Sequence, residues 1–173
     1  MNAALSDIVI RTELRPGDLG SVLYLHGSFY GRDYGYGIQF ESYVAQGLHE
    51  FHAQYDPARD RFWLCEHRER IIGSLLLMHR GPHSAQLRYF MVLPEYQGIG
   101  LGKLLMERFM EFLRERGYRS AYLWTVDELP VAAALYRRHG FRLTEEKRST
   151  AFGKPLVEQR YDLVLPPASP PGP

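Results

Sequence analysis

The residues with the clearest chemical meaning in this chain are Gln97, Gly98, Ile99, Gly100, Leu101, Gly102 and Lys103, a glycine-rich run that opens an apolar stripe at helical spacing. Glycine lets the backbone take positive φ and puts no side chain in the way of a ligand. A helix starting inside such a run aims unpaired N–H groups, and the positive end of its dipole, at one point. That is an anion site, with phosphate as the usual occupant. Two better-known phosphate loops do not fit. Counted from Gly98 and Gly100, the third glycine position of G-x-G-x-x-G holds Lys103. A P-loop would need a glycine where Gln97 stands and a hydroxyl residue where Leu104 stands.

The elements around the run must position it. Ala85 to Leu93 reads as a strand that leads into the loop. Leu101, Leu104, Leu105, Phe109, Phe112 and Leu113 mark one face of the helix that follows, and Gly117 ends it. Upstream, Arg61 to Glu66 and Arg70 to Arg80 form a hairpin, with Gly81-Pro82 turning the chain into the next strand. Asp7 to Glu13 is a short strand, Asp18 caps a helix reaching about His26, and Phe40 to Phe51 is a second amphipathic helix. Between them, the glycine- and tyrosine-rich segment Phe29 to Tyr36 reads either as an irregular loop or as a wall of a substrate pocket. Downstream come a strand from Ala121 to Thr125, a helix opened by Pro130 and closed by Gly140, and strands over Phe141 to Lys147 and Val157 to Leu165. Antiparallel strands followed by a strand–helix–strand crossover predict an α+β fold.

The loop pattern Q-x-x-G-x-G, at Gln97, Gly100 and Gly102, is joined by A-x-x-x-Y-x-x-x-G-F at Ala132, Tyr136, Gly140 and Phe141. With both patterns present, the chain resembles the GNAT superfamily of N-acetyltransferases from about Ile8 to Leu165. Leu123-Trp124-Thr125, Leu129, the Ala132-Ala133 pair and Phe152-Gly153 are similar to the acetyltransferase domain of MarR-type regulator fusions, although no helix-turn-helix segment accompanies them. The resemblance implies the GNAT fold: a mixed, mostly antiparallel central sheet flanked by helices, with the strand before the loop splayed from its neighbour. It implies acetyl-CoA as cosubstrate, its pyrophosphate on residues Gln97 to Lys103 and its pantetheine arm along the backbones of Met91, Val92 and Leu93. Ala132 and Ala133 would leave room for that arm, and Tyr136 would protonate the leaving thiolate. The implied reaction is direct transfer to an amine of a small molecule or a protein, and homodimers are common among similar proteins. The other function compatible with this likeness is a non-catalytic acyl-CoA sensor or regulatory module.

A general base is not visible. The strand before the loop carries Gln86, Arg88 and Tyr89 but no carboxylate, which leaves Glu41, Asp127 and the histidines as candidates. Lys103, Arg137 and Arg138 are candidates for the 3′-phosphate of coenzyme A. His49-Glu50-Phe51-His52 is one residue short of H-E-x-x-H, so no metal is expected. Cys65 lies in a strand and reads as a small buried apolar residue, and a lone cysteine excludes a disulfide framework and suits a reducing cytoplasm. At 173 residues, one domain over 1–165 is expected, with a disordered tail over 166–173, where five of eight residues are proline. The net charge of +1 gives no electrostatic case for nucleic acid or an anionic membrane. The longest apolar run, Ile71 to Met78, is far short of a membrane span.

Overall fold

That apolar run sits at the centre of the architecture. Leu75 and Leu77 pack into one buried cluster, Leu76 and Met78 into another on the opposite side. A strand buried on both faces needs helices above and below its sheet. The computed structural model describes residues 3–167 and supplies them. One sheet contains β1 (Val9–Arg11), β2 (Arg61–His67), β3 (Arg70–Gly81), β4 (Ser84–Val92), β5 (Ser120–Val126), β6 (Arg142–Ser149) and β7 (Leu156–Val164). Their spatial order is β1-β2-β3-β4-β5-β7-β6, antiparallel throughout except for the β4–β5 pair. Helices α3 (Leu101–Glu115) and α4 (Pro130–Arg138) cover one face, while α1 (Asp18–Tyr34) and α2 (Ile38–Gln54) cover the other. No described helix is long and apolar enough to cross a membrane. The expected tail lies outside the described residues from position 168 onward.

The α+β fold and the hairpin agree with the sequence reading, but two local expectations need correction. Helix α1 does not stop near His26; it continues to Tyr34, so most of the segment expected as a possible loop is helical. Tyr30 explains why. Its ring stacks on Tyr36 at 5.5 Å and meets Phe40 edge-on at 5.1 Å. Burying that aromatic face outweighs the helix penalty of about 1 kcal/mol per glycine. Asp18 is the first helical residue rather than the cap, which falls to Gly17. Its carboxylate instead accepts the Arg15 N–H at 2.6 Å and two bonds from Arg11 at 2.8 and 2.6 Å. In the glycine loop, Gly98 and Gly100 use the freedom to take positive φ (79° and 92°), whereas Gly102 is helical.

Two irregularities of β4 shape everything that follows. Ser84, Ala85 and Gln86 pair with Ser120, Ala121 and Tyr122 of β5, and there the pairing ends. Strand β5 stays paired to β7 as far as Val126, so the sheet opens into a gap. On its other edge, β4 slips register: Leu76 faces Arg88 and Ser74 faces Met91, leaving Tyr89 and Phe90 opposite Leu75 alone. Tyr89 sits at φ 48°, and its carbonyl accepts a bond from Ser74 Oγ at 2.6 Å. This bulge turns Arg88 and Tyr89 toward α2 together. Gly47 of α2 makes the space: a Cβ there would collide with the Tyr89 hydroxyl and the Arg88 guanidinium.

Candidate active site

The gap is flanked by two connected hollows. The first is a groove of about 820 Å³ between the end of β4, the glycine loop and α4. Gly98 and Gly100 need no side chain at their positive φ, and nothing lies within 4 Å of where a Gly98 Cβ would be. Gly100 caps α3 without any side-chain hydrogen bond, so no side chain claims the first amides of that helix. Gln97 closes the loop against the strand, its Nε2 donating to the Val92 carbonyl at 2.9 Å. Met91, Val92, Gln97, Gly98, Gly100, Gly102, Lys103 and Ala132 all line the groove. Leu93, Ile99 and Leu101 do not: Leu93 and Leu101 are buried in the α3/α4-side core and Ile99 packs against it, so only their main chain is available. Of the three basic candidates, Lys103 and Arg138 line the groove, while Arg137 turns away to donate to the Tyr161 hydroxyl at 2.9 Å.

The second hollow is a cavity of about 140 Å³ on the α1/α2 side, and Tyr30, Phe90, Leu129 and Ala132 border both spaces. Tyr136 lines the cavity from α4, and the structure gives its hydroxyl no hydrogen-bond partner among the described residues. Burial drives its pKa far above the ordinary phenol value, so it keeps its proton. Tyr30 and Tyr36 of the tyrosine-rich segment line the cavity, beside Phe40 of α2. The connection before β7 closes over them: Gly37 N–H donates to the Phe152 carbonyl at 2.8 Å, and Lys154 pairs with Glu128 at 2.6 Å.

Of the base candidates read from the sequence, Glu41, Asp127 and the histidines, one histidine reaches the cavity. Glu41 and Asp127 are exposed and do not line it. His26 does, and it is buried. Its Nδ1 lies 2.8 Å from the Val22 carbonyl. A carbonyl only accepts, so Nδ1 carries the proton and Nε2 the lone pair. Burial pulls its pKa down to about 4 despite that bond, so the ring is neutral near pH 7. Glu158 of β7 is the carboxylate of the lining, with Lys147 3.6 Å away. His49 and His52 are exposed, and Glu50 between them is held by Arg80 at 2.5 Å. Cys65 is fully buried, and burial pushes its thiol up to about 12, which makes it inert. Trp124, Thr125 and Arg88 also face the cavity. No periodicity marks them, because their placement depends on the gap and the bulge.

Residues 26–141 match the profile of the Acetyltransferase (GNAT) family. A mycothiol acetyltransferase from Cellulomonas flavigena is 32% identical over 121 residues, 60% of this chain but only 34% of that protein, so the chain spans about a third of that relative's length. Among solved structures, an acetyltransferase from Streptococcus agalactiae superposes with a TM-score of 0.76 over 93% of this chain and all of its own, at 20% identity. A GNAT family acetyltransferase from Elizabethkingia anophelis, solved with acetyl-CoA bound, superposes at 0.63 over 92% of this chain and 99% of its own, at 16% identity.

Proposed function

Because this chain belongs to the acetyltransferase (GNAT) family, we propose that it transfers an acetyl group from acetyl-CoA to an amine by direct attack, with both substrates bound together. One observation carries the reading: a groove ending at uncapped helix amides and a separate cavity meet where β4 and β5 part. The groove suits a long donor with a diphosphate, and the acetyl-CoA in the Elizabethkingia protein supports that choice.

The roles follow from position. The first amides of α3 and the loop from Gln97 to Gly102 grip the diphosphate, with Lys103 and Arg138 at hand for the 3′-phosphate. Beyond Gln86, the edge of β4 facing the gap has no strand partner, so its backbone can pair with the pantetheine arm beside Met91 and Val92. A backbone N–H freed there and aimed at the developing oxyanion contributes on the order of 3 kcal/mol to the transition state. Tyr136, protonated and otherwise unpartnered, donates to the sulfur as the thiolate leaves. The amine enters from the aromatic cavity, and His26 Nε2 takes up its proton during attack. The imidazolium so formed is disfavoured by burial, so Nε2 returns the proton to the phenolate that Tyr136 leaves on protonating the sulfur, and both side chains regain their starting state.

The test combines calorimetry of acetyl-CoA binding with free-thiol release across a panel of amines. Binding followed by turnover on at least one amine, slowed by Tyr136→Phe, is the expected result. No affinity for any coenzyme A species at millimolar concentration would overturn the reading. Tight binding with no turnover on any amine, indifferent to Tyr136→Phe, would identify an acyl-CoA sensor instead.

A further inference from the structure

We propose that the acceptor is an amino carboxylate, whose carboxylate is received by Arg88 while its amine reaches the gap between β4 and β5. The inference rests on the transferase reading and narrows it from any amine to one class.

Arg88 is in an unusual position for an arginine. Its side chain keeps only 9% of its exposure, yet it lines the cavity and has no hydrogen bond to any described residue. The nearest carboxylate oxygen, Glu50 Oε2, is 3.9 Å away. That carboxylate is already committed, because its Oε1 accepts from Arg80 Nη1 at 2.5 Å. Arg80 is further satisfied through Nε, which donates to Gln86 Oε1 at 2.8 Å. Two guanidinium groups therefore share one carboxylate, and Arg88 has the weaker half. What surrounds it is aromatic: the Tyr89 ring centroid lies 4.9 Å from the guanidinium carbon and that of Tyr43 5.6 Å. These faces accept positive charge but offer no oxygen lone pairs in the plane of the fork.

Donors of the guanidinium that make no protein bond stay accessible from the cavity, where an anion can complete them. A carboxylate is the planar anion that its fork matches in a bidentate manner. The geometry around Arg88 favours this arrangement over packing alone. The β4 bulge swings the side chain to the α2 side, and Gly47 leaves it the room. The other charged group of the cavity, Glu158, has Lys147 as partner, so the net charge facing a bound molecule is positive. That favours a molecule bringing one negative charge over a polycation. The rest of the lining, Tyr30, Tyr36, Phe40 and Trp124 among it, suits an apolar or aromatic body between the two polar ends.

The experiment uses matched acceptors: phenylalanine, leucine, methionine and glutamate, each beside its decarboxylated amine and its carboxamide. Thiol release gives kcat/KM for each, and calorimetry on protein saturated with coenzyme A gives binding independently of turnover. At least one carboxylate is expected to exceed both neutral partners by about thirty-fold or more. Arg88→Met should bring that set level without changing affinity for coenzyme A, and Arg88→Lys should retain part of the preference. Neutral amines used as well as, or better than, every carboxylate would sink the inference while leaving the transferase reading intact. A carboxylate preference that persists in Arg88→Met would sink it too. If no acceptor turns over, the binding arm decides by the same comparison. If Arg88→Met fails to bind coenzyme A or to melt cooperatively, the wild-type panel and Arg88→Lys carry the test.

Discussion

His26→Phe removes a ring that the folded protein holds neutral and the unfolded chain does not. The folded pKa is about 4, against 6.5 for an unperturbed histidine. The folded state therefore binds fewer protons than the unfolded state between these values. The ring's contribution is intact above about pH 6.5 and is lost as pH falls toward 4. Integrating over that window to about pH 4.5 gives a loss of about 2.5 kcal/mol from this one group. That is a large share of the stability of an ordinary domain, about 5–15 kcal/mol. Urea unfolding of wild type and His26→Phe, followed by the fluorescence of Trp63 and Trp124, would measure it at about pH 7.5, 6 and 4.5. Tyr30 and Tyr89, whose rings flank His26 at 6.2 and 5.6 Å, hold their protons throughout that range. Carboxylates such as Asp18 titrate in both proteins, so the difference between the two curves isolates the histidine. The variant should start lower, having lost the bond to Val22, and fall less steeply. Two parallel curves would refute the argument, because they would mean that His26 protonates in the folded protein as easily as in the unfolded chain.

Tyr136→Phe should lower kcat by roughly ten- to a hundredfold while changing stability by less than about 1 kcal/mol, since its hydroxyl has no protein partner to lose; steady-state kinetics and a melting curve check both halves. Gly100→Ala forces a side chain to φ 92°, which should cost about 1–2 kcal/mol and weaken acetyl-CoA in calorimetry more than it weakens any acceptor. Gly47→Ala drives a methyl group into Tyr89 and Arg88, so the acceptor KM should rise while acetyl-CoA affinity holds, as separate titrations would show. Asp18→Asn leaves Arg11, 11% exposed, with Glu66 at 2.7 Å as its remaining carboxylate among the described residues, beside the Glu13 carbonyl, and should cost about 2–3 kcal/mol in urea at neutral pH.

What could be read from the sequence was whatever contiguous residues specify by themselves. The loop from Gln97 to Lys103 carries its own conformational demands, and α3 follows from a stripe of leucines and phenylalanines at helical spacing. The β2–β3 hairpin is equally local: Arg68 and Glu69, at φ 50° and 60°, form a two-residue turn between matched runs. The far half of α1 was hidden because its glycines argue locally for a loop, and only the packing of Tyr30 on Tyr36 and Phe40 decides the matter. The cavity was hidden more deeply. His26, Arg88, Trp124 and Glu158 come from four separate elements, and the bulge that turns Arg88 inward has no signature in the residues around it. A slip of one position in β4 against β3 is a property of the pair of strands, not of either one.

The short run of pairing between β4 and β5 has a mechanical consequence. The molecule amounts to two half-sheets fastened at one end, from Ser84 to Gln86, and left apart at the other. An arm hydrogen-bonding along the open part would act as a splint, restoring the cross-strand links the fold omits. The empty protein should then breathe along this line, with the gap-facing amides of β4 beyond Gln86 exchanging faster than those paired to β3, and stiffen across its whole width once the donor is in place. Substrate would thus serve as a temporary structural member, and its departure would loosen the protein at the place where the next molecule must enter.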